Sequence, residues 1–124
     1  MQSDLNKIAL KTQLSCQHIG DVLVLKTHLS RLDGETANDF IHAATKSLLN
    51  TKKAVLNFAC VLKMDAIGCG ALVALLRKTN AAGTQIKLCD ISPELTQNFE
   101  ALGLHHIYDV YSNELQAVSS YLHT

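Results

Sequence analysis

Apolar and polar residues alternate along this chain with two different periodicities. Short apolar runs rich in Val, Ile and Leu predict strands, and longer stretches with apolar residues three or four positions apart predict helices. The strand-like runs cover residues 7–14, 21–28, 53–61 and 84–90, with a further short strand expected within 104–111. The helix-like stretches cover residues 34–51, 68–82, 92–102 and 112–122.

Turn and capping residues mark the ends of these segments. Gly20 and Asp21 are typical of a tight turn, so we expect the first two strands to form an antiparallel hairpin. Asp33, Ser92 and Ser112 stand where helices should begin, and their side chains suit an N-cap. Because strands alternate with helices, the sequence predicts an α/β fold in a single domain over 1–124. We expect one mixed, mostly parallel sheet of about five strands, covered by about four helices.

Composition and charge narrow the class of protein. The chain has 124 residues, of which 48% are hydrophobic, so it can bury a core of its own. Lys and Arg together number 11, as do Asp and Glu, which leaves no overall basic charge for nucleic acid or a membrane surface. The apolar stretch 68–76 is too short to span a membrane, and the first residues do not resemble a signal peptide. We therefore expect a cytoplasmic protein.

The four cysteines do not form a metal-binding pattern. Cys16, Cys60, Cys69 and Cys89 include no C-x-x-C pair, which argues against a zinc site. Cys69 stands near a predicted helix start, where the pKa of a thiol can be lowered, but its apolar neighbours favour a buried structural role. We expect neither a metal nor a cofactor.

Other residues that could carry chemistry lack the context that an enzyme needs. Gly68 and Gly70 are followed by neither the third glycine of a dinucleotide fingerprint nor a Walker lysine. His105 and His106 are adjacent, and in a strand they would point to opposite faces of the sheet. The sequence contains no nucleophile-elbow motif. We therefore predict that the protein is not an enzyme.

The most informative stretch joins the strand at 53–61 to the helix at 68–82. Asp65, Ala66, Ile67 and Gly68 stand at this junction. A helix N-terminus exposes backbone N–H groups that favour negative charge, and such a position can hold a phosphate. Ala66 is the residue best placed to carry one, yet alanine has no hydroxyl group. The junction therefore has the form of a phosphorylation switch that lacks its acceptor.

Several segments, in order and at matching spacing, carry a family resemblance. They lie at 22–25 with 32–37, at 54–58, at 65–68, and at 88–93 with 102–104. Together they resemble the STAS domain, the fold shared by bacterial anti-sigma-factor antagonists and the cytoplasmic tails of sulfate transporters. The resemblance covers nearly the whole chain and implies the same α/β fold.

The resemblance also implies a role in protein interaction. In that family a partner kinase, which is an anti-sigma factor, phosphorylates the first serine of an Asp-Ser-Ser-Gly motif. The unphosphorylated protein binds the kinase and releases a sigma factor, and the phosphorylated form lets go. Here Asp65 and Gly68 match the motif, while Ala66 and Ile67 replace both serines and Ser30 replaces a family glycine.

Three functions follow from the resemblance as expectations. The first is a regulator in a partner-switching pathway, which would bind a serine kinase/anti-sigma factor or a phosphatase. The alternative is a STAS-type subunit of a membrane transport complex that docks on a transporter ATPase; a nucleotide sensor is a third reading. The residues expected to bind the partner are Asp33, Thr36, Asp65, Ala66, Ile67, Gly68 and Cys69.

Overall fold

The computed structural model describes residues 14–122. Most of the strand predicted at 7–14 lies outside these residues. The strands are β1 Leu14–Ile19, β2 Val22–Thr27, β3 Arg31–Leu32, β4 Lys53–Asn57, β5 Lys63–Met64, β6 Gln85–Cys89 and β7 Asp109–Tyr111. The α-helices are α1 Ala37–Ser47, α2 Ala66–Ala81, α3 Pro93–Ala101 and α4 Glu114–Leu122, and a short 3-10 helix spans Leu104–His106.

The main sheet has five strands in the order β1-β2-β4-β6-β7. β1 pairs antiparallel with β2 at the edge, and the other neighbouring strands pair in parallel. The turn between β1 and β2 contains Gly20, whose φ of 60° suits glycine. The prediction of a mixed, mostly parallel sheet with one antiparallel hairpin is therefore confirmed. The edge strand spans Leu14–Ile19, however, and shares only Leu14 with the predicted strand at 7–14.

Successive residues of the central strands point to opposite faces of the sheet and bury two separate cores. The larger core joins Leu25 and Leu56 to residues of α1, α2 and α3, such as Phe40, Leu72 and Leu95. The smaller core joins alternate strand residues to α4; its members are Val22, Val24, Val55, Cys89, Ala117, Val118 and Tyr121. Three helices thus cover one face and α4 covers the other.

Helix α4 buries only part of the face expected, since Val118 is buried and the two leucines are not. The sequence pattern places Leu115, Val118, Ser119 and Leu122 on its apolar stripe, but Leu115 is 76% and Leu122 73% exposed. Tyr121 is buried instead, because its hydroxyl donates to backbone carbonyls of the sheet at 2.8 Å and 3.0 Å. The cap also differs: the Asn113 side chain, rather than that of Ser112, accepts a hydrogen bond from the N–H of Gln116 at 2.9 Å.

Strand β4 is shorter than its apolar pattern suggests. β4 ends at Asn57, because the Asn57 side chain accepts the N–H of Ala59 at 2.9 Å and turns the chain. Cys60 therefore lies in a turn.

The Ser92 cap of α3 is confirmed, since its hydroxyl accepts the N–H of Leu95 at 3.2 Å. Within residues 14–122, no helix is long and apolar enough to cross a membrane.

Candidate functional site

A small second sheet brings two loops together beyond the carboxyl ends of β2 and β4. β3 and β5 pair in parallel, with Arg31 opposite Lys63 and Leu32 opposite Met64. The two strands also contact each other just before they begin, where the Ser30 carbonyl accepts the N–H of Leu62 at 2.8 Å. The sequence pattern predicts only a loop over 29–33. This sheet sets the position from which α2 begins.

Asp65 caps α2. Its backbone is extended, and its Oδ1 accepts the N–H of Gly68 at 2.8 Å, as expected for an N-cap aspartate. The helix begins at Ala66, two residues earlier than the sequence pattern indicates. The predicted location of Asp65 and Ala66 at a helix N-terminus is confirmed.

Gly68 allows α2 to approach β3 closely. A Cβ atom at this position would lie 2.0 Å from the backbone oxygen of Leu32 and 2.8 Å from its carbonyl carbon. Real Cβ atoms do not approach backbone atoms this closely. Gly70 differs, since a Cβ atom there would have no neighbouring atom within 4 Å. Gly68 is therefore a close-packing residue, whereas Gly70 faces open space.

Apolar side chains surround the exposed start of α2. Ala66 is exposed, Ile67 is 60% exposed, and Leu62 from the preceding loop is 52% exposed. A Cβ atom at Gly34 would lie 3.1 Å from Cδ1 of Ile67, so the start of α2 contacts the turn before α1. Polar residues normally occupy such exposed positions. The exposed leucine and isoleucine therefore make this surface suited to contact with another protein.

Asp33 and Thr36 shape the turn before α1. Asp33 Oδ1 accepts the N–H groups of Glu35 at 3.0 Å and Thr36 at 3.2 Å, so it closes this turn instead of capping the helix. The Thr36 hydroxyl accepts the N–H of Asp33 at 3.0 Å and lies 3.2 Å from the Arg31 carbonyl oxygen. Thr36 occupies the N-cap position of α1 without a side-chain cap hydrogen bond. Both residues are half-buried and organise the backbone.

Charged side chains border the apolar surface. Arg31 pairs with Asp33 at 3.1 Å and with Glu35 at 2.9 Å. A shallow groove runs from this pair along the start of α2 to α3; it is lined by Arg31, Asp33, Leu62, Lys63, Met64, Asp65, Glu94 and Asn98. Leu62, Arg31 and Glu94 are absent from the residues predicted from sequence. They come from separate segments, and only the β3–β5 pairing and the packing of α3 bring them together.

Cys69 lies outside the exposed surface. It is 6% exposed, and its Sγ lies 3.2 Å from the Met64 sulfur. Burial, together with the nearby Asp65 carboxylate, raises the pKa of the Cys69 thiol above its ordinary value. The thiol is therefore protonated at neutral pH, as expected for a structural cysteine.

The two adjacent histidines lie on the surface. His105 and His106 belong to the short 3-10 helix rather than to a strand, and their ring centroids are 3.9 Å apart. Because they lie outside any strand, the expectation that they point to opposite faces of a sheet does not apply to them. In the part of the chain that the structure describes, no group of three or more His, Cys, Asp or Glu side chains could hold a metal ion.

The comparison with known families agrees with this architecture. The family model described as STAS domain matches residues 13–117. The chain belongs to the STAS domain family. An anti-sigma F factor antagonist of Paenibacillus polymyxa is similar in sequence to this chain. The two are 23% identical over 113 residues, which cover 89% of this chain and 95% of that protein.

Solved structures share this fold in two settings. An anti-sigma factor antagonist from Mycobacterium paratuberculosis aligns with a TM-score of 0.75 and 16% identity, over 86% of this chain and 91% of the other. The murine solute carrier 26 family member A9 anion transporter aligns with a TM-score of 0.78 and 18% identity, over 87% of this chain and 19% of the transporter. The same domain fold therefore occurs both nearly alone and as part of a transporter.

The hydrogen bond made by the Asp65 cap gives a stability prediction for this STAS domain. We expect Asp65→Ala to lower the free energy of unfolding by about 1 kcal/mol, because the N–H of Gly68 loses its acceptor. Asp65→Asn should retain most of the stability, since asparagine is an equally good cap. Urea denaturation of both variants measures the difference. Equal loss in the two variants would show that the carboxylate charge, and not the cap, matters.

Proposed function

We propose that this STAS domain is a non-enzymatic regulator of the anti-sigma-factor-antagonist type, which acts in the cytoplasm in a partner-switching pathway. It binds a serine kinase/anti-sigma factor, or a phosphatase, through the start of α2. We call this contact region the switch surface and define it by Asp33, Asp65, Ala66, Ile67 and Leu62. Gly68 and Cys69 support this region from below and do not touch the partner.

One observation carries the proposal: the start of α2 is exposed and apolar at the position where the family carries its phosphorylated serine. Ala66 and Ile67 are both exposed there, and neither has a hydroxyl group. A phosphate would add roughly −1.5 to −2 charges to such a surface and oppose an apolar contact. Since alanine cannot accept a phosphate, the surface stays permanently in its binding form.

The switch in this pathway must then act elsewhere. A partner that binds the switch surface cannot release it by phosphorylating Ala66. Release therefore depends on the partner's own state, on competition, or on the concentration of this chain. This property separates the present chain from a relative with a serine at the start of the helix.

The alternative is a STAS subunit that docks on the ATPase of a membrane transport complex. The missing hydroxyl also suits this function, because docking of this kind needs no phosphorylation cycle. The likeness to the transporter domain supports the fold in that setting. Both functions use a protein partner, and the class of partner distinguishes them.

Capture of partners from the source cell tests the proposal directly. The bait is the full chain, and Ala66→Asp is the matched bait in which the switch surface is charged. A serine kinase retained by the first bait and lost from the second supports the regulator. A transporter ATPase retained in the same way supports the alternative, and partners retained equally by both baits contradict the switch surface.

We also predict the behaviour of the chain toward a kinase partner. Incubation of the kinase and ATP with the wild-type chain should leave residues 63–70 without phosphate, because this stretch contains no hydroxyl side chain. Ala66→Ser restores a hydroxyl at the exposed helix start, and this variant should be labelled. Phosphopeptide mapping of both proteins is the measurement. Phosphate within 63–70 of the wild-type chain would overturn the prediction.

A further inference from the structure

The charges of this neutral chain are segregated along the sequence. Between residues 40 and 89 the only acidic residue is Asp65, and beyond Lys87 the chain contains no lysine or arginine. The basic residues in the first of these segments are Lys46, Lys52, Lys53, Lys63, Arg77, Lys78 and Lys87. The acidic residues after them are Asp90, Glu94, Glu100, Asp109 and Glu114.

The fold converts part of this segregation into an acidic edge of the sheet. The parallel strands end on one side of the molecule, and the residues that follow these strands include many acids. The acidic residues on this carboxyl edge are Asp33, Glu35, Asp65, Asp90, Glu94 and Glu114. Asp90 and Glu114 both accept from the Asn57 side chain, at 3.2 Å and 2.8 Å, which holds two carboxylates close together. The nearby cations are Arg31, which already pairs with two acids, and Lys63.

The opposite edge carries a basic groove. It lies between the C-terminal ends of α1 and α2 and is lined by His42, Thr45, Lys46, Leu49 and Lys78. Leu49 is 66% exposed among these polar side chains. Among residues 14–122, the cations that form ion pairs are Arg31 and Lys53, so Lys46 and Lys78 carry no ion pair. We call this region the amino-edge groove.

The two charged regions lie at opposite ends of the same helices. α2 has 16 residues and is therefore about 24 Å long. Helix dipoles explain why acids lie near the first turns and lysines near the last turns. They do not explain the exposed leucine in the groove, or the exposed Leu62 and Ile67 at the acidic end. The groove thus has an exposed leucine among basic side chains, and the acidic end has exposed Leu62 and Ile67 among mostly acidic side chains, with Arg31 and Lys63 beside them.

We propose that copies of this chain associate head to tail, with the amino-edge groove of one copy against the switch surface of the next. The groove is basic, the carboxyl edge carries more acidic than basic side chains, and each surface has at least one exposed apolar side chain. Two identical ends would repel, so a symmetric end-to-end contact is disfavoured. Because the contact joins different surfaces, it can continue beyond a dimer.

Head-to-tail association would regulate partner binding at the switch surface. The association itself does not depend on the proposed function, and only this regulatory consequence rests on it. A copy seated on the switch surface covers Ala66 and Ile67. Self-association and partner binding are then mutually exclusive, and the amount of free regulator depends on the total concentration of the chain. Such control replaces the phosphorylation step that Ala66 removes.

Sedimentation velocity of the purified full chain tests the contact without any partner. At about 0.01 M salt the weight-average sedimentation coefficient should rise with concentration and pass the value of a dimer. At about 1 M salt, where the screening length is about 3 Å, the chain should be monomeric. A monomer at every concentration and both salt levels overturns the proposal, as does a dimer that does not grow.

A matched pair of charge reversals locates the contact. Lys78→Glu and Lys63→Glu change the net charge equally, and both lysines are exposed. Lys78→Glu, in the groove, should raise the dissociation constant of self-association at least tenfold. Lys63→Glu, on the acidic edge, should leave it unchanged or lower it. Equal weakening by both variants overturns the contact, and circular dichroism verifies that both variants are folded.

The same variants separate this inference from the proposed function. Partner binding is measured at a dilution at which the chain is monomeric. If Ala66→Asp leaves partner affinity unchanged while Lys78→Glu prevents self-association, the proposed function fails and the head-to-tail contact stands. If the wild-type chain does not self-associate, but the Ala66→Asp variant loses its partner, the proposed function stands and the head-to-tail contact fails.

Discussion

Replacement of Gly68 by alanine is expected to lower the free energy of unfolding by about 3 kcal/mol, at the upper end of the usual cost of overpacking. The added methyl group would meet the backbone oxygen of Leu32 at 2.0 Å, and this atom belongs to the β3–β5 pairing. A flexible side chain could move aside, but a paired strand moves only with its partner. Either α2 shifts away from β3 or the small sheet opens. Urea denaturation with a two-state fit measures the loss.

Gly70→Ala is the matched control for this variant. It makes the same chemical change two residues further along α2, where the added methyl group meets nothing within 4 Å. Because alanine is the better helix former, this variant should be more stable than wild type by about 0.5–1 kcal/mol. Opposite signs at the two positions are the expected result. A loss below about 1 kcal/mol in Gly68→Ala would mean that β3 relaxes easily and does not fix the start of α2.

Much of the fold could be predicted from sequence because its signals are local. The hairpin depends on a turn at Gly20, the cap of α3 on Ser92, and each central strand on a short apolar run. The antiparallel edge and the parallel order of the remaining strands then follow from the order of the elements. The position of Asp65 at the start of a helix was predictable for the same reason, since the cap and the helix are neighbours in sequence.

Features that depend on distant contacts could not be predicted in this way. β3 and β5 have two residues each, too few for any periodic pattern, and they pair across about thirty positions of sequence. In α4, both Leu115 with Leu122 and Ala117 with Tyr121 have helical spacing, so periodicity alone cannot choose the buried face. The tyrosine hydroxyl decides it by reaching the carbonyls of Ala54 and Gln85.

The candidate site was predictable in position but not in character. Asp65, Ala66 and Ile67 do lie at an exposed junction, as expected, yet nothing in the sequence shows that Leu62 lies beside them. Cys69 is close to these contact residues in sequence, but the turn of the helix points it into the core. Residues two or three positions apart in a helix lie on different faces, so closeness in sequence does not give Cys69 the exposure of Ala66 and Ile67.

Ala66→Asp is expected to weaken partner binding by about a hundredfold while leaving the fold intact. The residue lies at the exposed first position of α2, where an added carboxylate gains about 0.3–1 kcal/mol from the helix dipole. In the apolar contact proposed above, the same carboxylate would lose its hydration without gaining a counter-charge. Asp65, its neighbour, adds repulsion. A net cost near 3 kcal/mol corresponds to this loss of affinity.

Isothermal titration of the variant against the captured partner measures the effect, with thermal unfolding as the check on the fold. Gln116→Glu is the control, because it adds the same charge near the start of α4, on the opposite face of the sheet. That variant should bind the partner like wild type. Unchanged affinity in Ala66→Asp would place the interface away from α2. If the melting temperature falls in Ala66→Asp but not in Gln116→Glu, Ala66 packs inside the fold and is not an exposed contact residue. Retained melting temperature with lost affinity is the expected result, because an exposed helix start tolerates a charge that a closed apolar contact does not.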